Sequence, residues 1–165
     1  MSVILAIDPG THVSGWCLYD GSVRDCGVTG NDDLLAYAQM YGRHQADRLA
    51  LEYIESYGMA VGKEVFATCV WVGRFMQAWS HPDEVLLIPR RAVKLHLCNS
   101  PRAKDANIRQ AILDKFGGKD KAIGRKAAPG PLYAVKSHAW AALGVALTVA
   151  ENLALPGALY KVRAA

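Results

Sequence analysis

Three side chains stand out as able to do chemistry. Asp8 closes the apolar run Val3-Ile-Leu-Ala-Ile7 and precedes Pro9-Gly10, so its carboxylate belongs to a strand end where the backbone turns. Glu52 lies inside a second apolar run, Leu49-Ala-Leu-Glu-Tyr-Ile54. A carboxylate in an apolar strand is costly to bury unless it is paired or binds a metal. Two of them in one sheet can converge on a divalent cation. Hard cations such as Mg²⁺ take oxygen ligands and keep waters free for a substrate phosphate. The plainer roles are a turn former for Asp8 and an edge-facing residue for Glu52. His138 is the third candidate, expected in the first turn of the last helix with Ser137 as its N-cap. A helix N-terminus disfavours a cation, and a neutral imidazole there suits a metal ligand or a general base. A lone histidine is more often simply half-buried or solvent-facing.

The elements that must position these residues follow from pattern. Val3–Ile7, Gly15–Tyr19 and Ser22–Val28 read as an antiparallel meander, its second turn at Asp20-Gly21. Asn31 or Asp32 can cap a helix running to about Arg43. Leu49–Ile54 is the next strand, and 60–79 has helical spacing through Val65, Cys69, Val72, Phe75, Met76 and Trp79. Val85–Ile88 is a short buried-type strand ended by Pro89, and Arg91–Leu97 a short helix. Ser100-Pro101 leads into a helix over about Lys104–Phe116, stopped by Gly117-Gly118. The Gly-, Pro- and Lys-rich stretch 118–133 reads as a mobile loop. The last helix runs from Ser137 to about Leu153, with Pro156-Gly157 beyond it. Three strands followed by alternating helix and strand argue an α/β domain with a mixed sheet.

Composition agrees. The 165 residues make one ordinary domain, 52% hydrophobic and 21% charged, which excludes a disordered chain. No apolar run is long enough to span a bilayer, and no positive segment precedes the first apolar run as in a secretory signal. A cytosolic (cytoplasmic) protein with no membrane partner is expected. The four cysteines, Cys17, Cys26, Cys69 and Cys98, contain no Cys-x-x-Cys pair, so reduced and mostly buried thiols are expected. Charge is uneven. Arg90 to Lys136 holds twelve Lys or Arg and three acids (Asp105, Asp114, Asp120), a local +9 within a total of +4, so the remainder carries −5. A basic face on an acidic domain suits a polyanion, of which nucleic acid is the commonest. The candidates for it are Arg90, Arg91, Lys94, Arg102, Lys104, Arg109, Lys119, Lys121, Arg125 and Lys126; a solvated basic surface is the plainer alternative.

The run Ile4-Leu-Ala-Ile-Asp8-Pro-Gly-Thr-His-Val-Ser-Gly15-Trp closely resembles the first motif of the RuvC-type Holliday junction resolvases. The likeness continues at Glu52, through Ser100-Pro-Arg-Ala-Lys104-Asp-Ala-Asn-Ile-Arg109-Gln, and ends at Ser137-His138-Ala-Trp-Ala141-Ala-Leu-Gly. The middle and C-terminal segments look most like short RuvC-like proteins of bacteriophages. The resemblance implies a ribonuclease H-like fold over 1–165: a mixed five-stranded sheet, three antiparallel strands then parallel ones, with helices on both faces. It implies a crossover junction endodeoxyribonuclease that cleaves four-way DNA junctions by phosphodiester hydrolysis, with other branched DNA as a further candidate substrate. It also implies two Mg²⁺ or Mn²⁺ ions held by Asp8, Glu52 and His138, with Asp8 bridging them, and no nucleotide cofactor. A homodimer is implied too, with part of the aromatic helix Phe66, Trp71, Phe75 and Trp79 at its interface. Tyr57, Gly58 and Met59, which follow Glu52, are expected on a loop touching the junction centre.

One position departs from the pattern. The last motif of the family carries two ligands three residues apart, and here His138 is followed by Ala141. That spacing puts both on one helix face, so an oxygen ligand is missing. Water or another acid, Asp105 being one candidate, could fill the gap; otherwise the enzyme is weak or needs Mn²⁺, or the chain binds branched DNA without cutting it. The Asp8-Pro-Gly-Thr turn also resembles the phosphate loop of actin–hexokinase ATP-binding proteins, but those need two facing domains and this chain has room for one.

Overall fold

A computed structural model describes residues 2–152. Strands β1 (Ile4–Asp8), β2 (Val13–Tyr19) and β3 (Val23–Gly30) form the antiparallel meander, and helix α1 (Asn31–His44) follows. β4 (Arg48–Tyr53), α2 (Lys63–Ala78), β5 (Val85–Pro89) and α3 (Arg90–Cys98) alternate next. Then come α4 (Asp105–Lys115), the short α5 (Lys119–Ile123), a hairpin of two-residue strands β6 (Gly124–Arg125) and β7 (Ala128–Pro129), and α6 (Ala139–Asn152). The sheet order is β3-β2-β1-β4-β5, antiparallel across β1–β2–β3 and parallel across β1–β4–β5. The mixed five-stranded sheet expected from the sequence is therefore present. The expected helix end at Leu153 and Pro156-Gly157 lie outside the described residues.

Strand alternation sorts the core into two layers. Leu5, Ile7, Leu49 and Leu51 face α1 and α2, packing on Leu34, Val72, Phe75 and Trp79. Ile4, Ala6, Ala50, Leu86 and Ile88 face the other way, toward α3, α4 and α6. Asp8 and Glu52 have the parity of this second set, so both carboxylates point to the α6 side. α6 is apolar around its circumference, with every residue from Ala142 to Val149 buried, as befits a helix enclosed on several sides.

Four expectations need correction. The stretch 118–133 is packed and hydrogen-bonded: Ala122 and Leu132 are fully buried, and the Leu132 N–H donates to the Ala122 carbonyl at 2.8 Å. Its glycines allow the tight closure, Gly124 lying at φ +67°. Ser137 is not an N-cap; it sits in the left-handed region at φ +49°, and α6 begins at Ala139. Asn31 makes no capping bond to α1. Residues 60–62 lie outside α2, because the helix starts at Lys63. All four cysteines are free, Cys17 buried, Cys26 and Cys98 partly buried, and Cys69 exposed.

Candidate active site

Asp8 ends β1 at a turn whose geometry is fixed by a small polar network. The Gly10 N–H donates to Ser14 Oγ (3.1 Å), Ser14 Oγ–H donates to Asn31 Oδ1 (2.6 Å), and Asn31 Nδ2 donates to the Gly10 carbonyl (2.9 Å). Ser14 and Asn31 are buried, so these bonds are satisfied away from water and make the turn rigid. Asn31 was expected to serve the helix; it braces the turn after Asp8 instead.

Glu52 sits beside Asp8 because β1 and β4 pair in parallel with Ile7 opposite Leu51. His138 reaches the same point because of Gly15, the residue opposite Asp8 on β2. A Cβ at Gly15 would stand 2.2 Å from the His138 carbonyl oxygen, so any larger residue would push the start of α6 away. The His138 Nδ1 is 3.7 Å from Asp8 Oδ2. The strained backbone at Ser137 sets the direction in which His138 enters; a non-glycine residue there costs on the order of 1–3 kcal/mol, and such strain gathers at functional sites.

The three sequence-predicted residues therefore line one cleft of about 130 Å³, together with Arg90, Asp105, Arg109, Trp140 and Ala141. Arg90, counted with the basic face, is drawn into the carboxylates. Its Nη1 donates to both Glu52 oxygens (2.7 and 2.9 Å), and its Nη2 donates to Asp105. Arg109 lies over the Trp140 ring, 4.8 Å from its centroid. Burial pushes the Asp8 carboxyl up to about 7; the Glu52 and Asp105 charges add to the rise and Arg90 opposes it. Burial also raises the Glu52 carboxyl, although the Arg90 charge and hydrogen bonds pull the other way. Arg90 stays firmly charged between its two carboxylates, burial notwithstanding.

The donor set of carboxylates and an imidazole suits a hard divalent cation, and the guanidinium between Glu52 and Asp105 already stands in for one positive charge. In this arrangement no three His, Cys, Asp or Glu side chains among the described residues are close enough together to hold one ion. Arg90 holds two of the donors to itself, and Ala141 brings no oxygen.

Next to the acidic cleft is a second one of about 240 Å³, lined by Tyr57, Arg91, Lys94 and Pro101, with Arg90 shared between the two. Tyr57, Gly58 and Met59 are exposed after Glu52. Arg102 and Lys104 are exposed between α3 and α4, Lys119 and Lys121 are exposed on α5, and Arg125 and Lys126 are exposed at the hairpin tip. Sequence reading missed the roles of Gly15, Asn31 and Trp140, though Gly15 stood inside the first motif.

Over 98% of this chain and 100% of the other, the structure matches Thermus thermophilus RuvC in complex with Holliday junction substrate, with a TM-score of 0.72 at 18% sequence identity. The chain has the RuvC fold. A second structure of Thermus thermophilus RuvC matches with a TM-score of 0.66 at 19% identity, over 97% of this chain and 99% of that one. No protein-family model and no curated protein matches the sequence. The RuvC likeness thus extends over the architecture.

Proposed function

We propose that this chain is a divalent-metal-dependent, structure-selective endonuclease that resolves four-way DNA junctions by hydrolysing phosphodiester bonds. The observation that carries this reading is the meeting of Asp8, Glu52 and His138 at the sheet ends of a chain with the RuvC fold. Asp8, Glu52 and His138 would hold the Mg²⁺ or Mn²⁺ ions, which when bound supply an activated water and neutralise charge on the scissile phosphate. Arg109, seated on Trp140, is within the cleft to meet a phosphate oxygen. Arg91 and Lys94 in the neighbouring cleft suit the flanking phosphates of the same strand. Such contacts fix the position of the DNA and read no base sequence, which suits a protein that recognises branch shape.

A four-way junction has near two-fold symmetry, so a symmetric dimer is its natural partner. Phe75 and Trp79 serve the monomer core, while Phe66 (63% exposed), Val70 (61%) and Met59 (77%) leave apolar surface on and before α2. A second copy of the chain covers this surface in our reading, and Phe66→Glu should shift the sedimentation of the protein toward the monomer.

The test of the main reading is to map cuts on an end-labelled four-way junction in Mg²⁺ and in Mn²⁺. Paired cuts, symmetric across the branch, are expected. A second reading has its own support. Ala141 and the hold of Arg90 on Glu52 and Asp105 favour a protein that binds junctions without cutting them. Tight binding with no cut in either metal would establish it.

A further inference from the structure

We infer that Asp105, the first residue of α4, supplies the carboxylate that α6 lacks at Ala141. The inference rests on the nuclease reading above and names a ligand for that site. Asp105 and Ala141 line the same cleft as Asp8, Glu52 and His138. A methyl group at position 141 can coordinate nothing, so the missing oxygen has to come from another element.

Asp105 is already tied to Glu52 through one cation. The Arg90 guanidinium donates to both Glu52 oxygens with one arm and to Asp105 with the other. A single positive group therefore bridges carboxylates from β4 and α4. The start of α4 is fixed for this purpose, because Asn107 Oδ1 accepts the Lys104 N–H at 2.8 Å. Asp105 is otherwise open to solvent, its side chain 82% exposed, so moving from guanidinium to metal requires no rearrangement of the core. Arg90 has somewhere to go: its side chain is one-third exposed and also borders the cleft of Arg91 and Lys94, where a DNA phosphate would attract it.

The experiment is a calorimetric Mn²⁺ titration of the full chain, free and bound to a four-way junction, with the junction alone subtracted. Wild type, Asp105→Asn and the double variant Asp105→Asn with Ala141→Asp are compared. Wild type is expected to bind Mn²⁺, and Asp105→Asn to weaken it by more than the roughly 10–100-fold typical of residues that merely support a ligand. Ala141→Asp should restore binding in that background, because position 141 lines the same cleft as His138. Binding by Asp105→Asn equal to wild type would overturn the inference and leave the nuclease reading standing. Loss without rescue would overturn the ligand role and make Asp105 a residue that positions Arg90. No Mn²⁺ binding by wild type, free or on the junction, would overturn the nuclease reading and this inference with it.

Discussion

Helix α4 has a charged cluster at each end, and the two differ in kind. At its C-terminal end Lys115 and His96 meet Glu151 at 2.9 and 2.7 Å, joining α4, α3 and α6. At its N-terminal end Arg90 joins Glu52 and Asp105, and Asp8 lies close by with no hydrogen-bonded cation among the described residues. The first cluster satisfies itself. Burial alone would raise the Glu151 carboxyl, yet the hydrogen bonds from Lys115 and His96 and their charges leave it below its ordinary value. In the second, burial wins at both Asp8 and Glu52. A cluster that staples helices balances its charges, whereas the cleft we propose for a cation keeps carboxylates short of partners.

The largest effect expected from this contrast is on cleavage. Asp8→Asn keeps the size and removes the charge, so junction cutting should fall by more than about 100-fold, beyond what residues supporting a ligand usually cost. Junction affinity of the same variant, measured by gel shift, should stay near wild type.

Stability comes next. Arg90→Met leaves Glu52 buried without its partner and should cost about 1–3 kcal/mol at neutral pH, the lower range reflecting partial exposure of the pair. Lys115→Ala, at the balanced cluster, should cost less than about 1 kcal/mol. Urea unfolding in metal-free buffer measures both, and Mn²⁺ should recover the loss for Arg90→Met alone.

The two clusters should also respond to pH with opposite sign. The Asp8 carboxyl titrates at about 7 folded against 3.8 unfolded, so the folded chain holds the extra proton between these values. Its contribution to stability is full below pH 4 and lost as pH rises through about 7. Asp8→Asn should therefore gain on wild type in melting temperature across this window. Glu151 has a lowered value, so its contribution is present above its unfolded 4.5 and lost as pH falls through the folded value. Glu151→Gln should accordingly melt below wild type at neutral pH. The smallest effect belongs to single basic residues: Arg91→Ala or Lys94→Ala should lower the slope of log affinity against log salt by roughly 0.7–0.9 each.

Much of the molecule was legible in the sequence because its signals are local. Alternation set the faces of β1 and β4, so two carboxylates on one side of the sheet could be anticipated from Asp8 and Glu52. Turn residues bounded most elements to within a residue or two. Direction was not legible. Charge counting placed Arg90 with the phosphate-binding residues, since a sum of charges does not say which way a side chain turns. Pro and Gly content made 118–133 look loose, because buried Leu132 and the hydrogen bonds that close the segment depend on tertiary contact. Gly15 matters through what it leaves room for, the backbone of His138 more than 120 residues later.

The most direct test is an electron paramagnetic resonance titration of Mn²⁺ into the wild-type chain bound to a four-way junction, beside the Asp8→Asn complex. A cleft with carboxylates kept short of cations should give the wild-type complex tightly held Mn²⁺ that the Asp8→Asn complex lacks. Equal Mn²⁺ in both complexes, or none in excess of the junction alone in either, would contradict a metal site at Asp8.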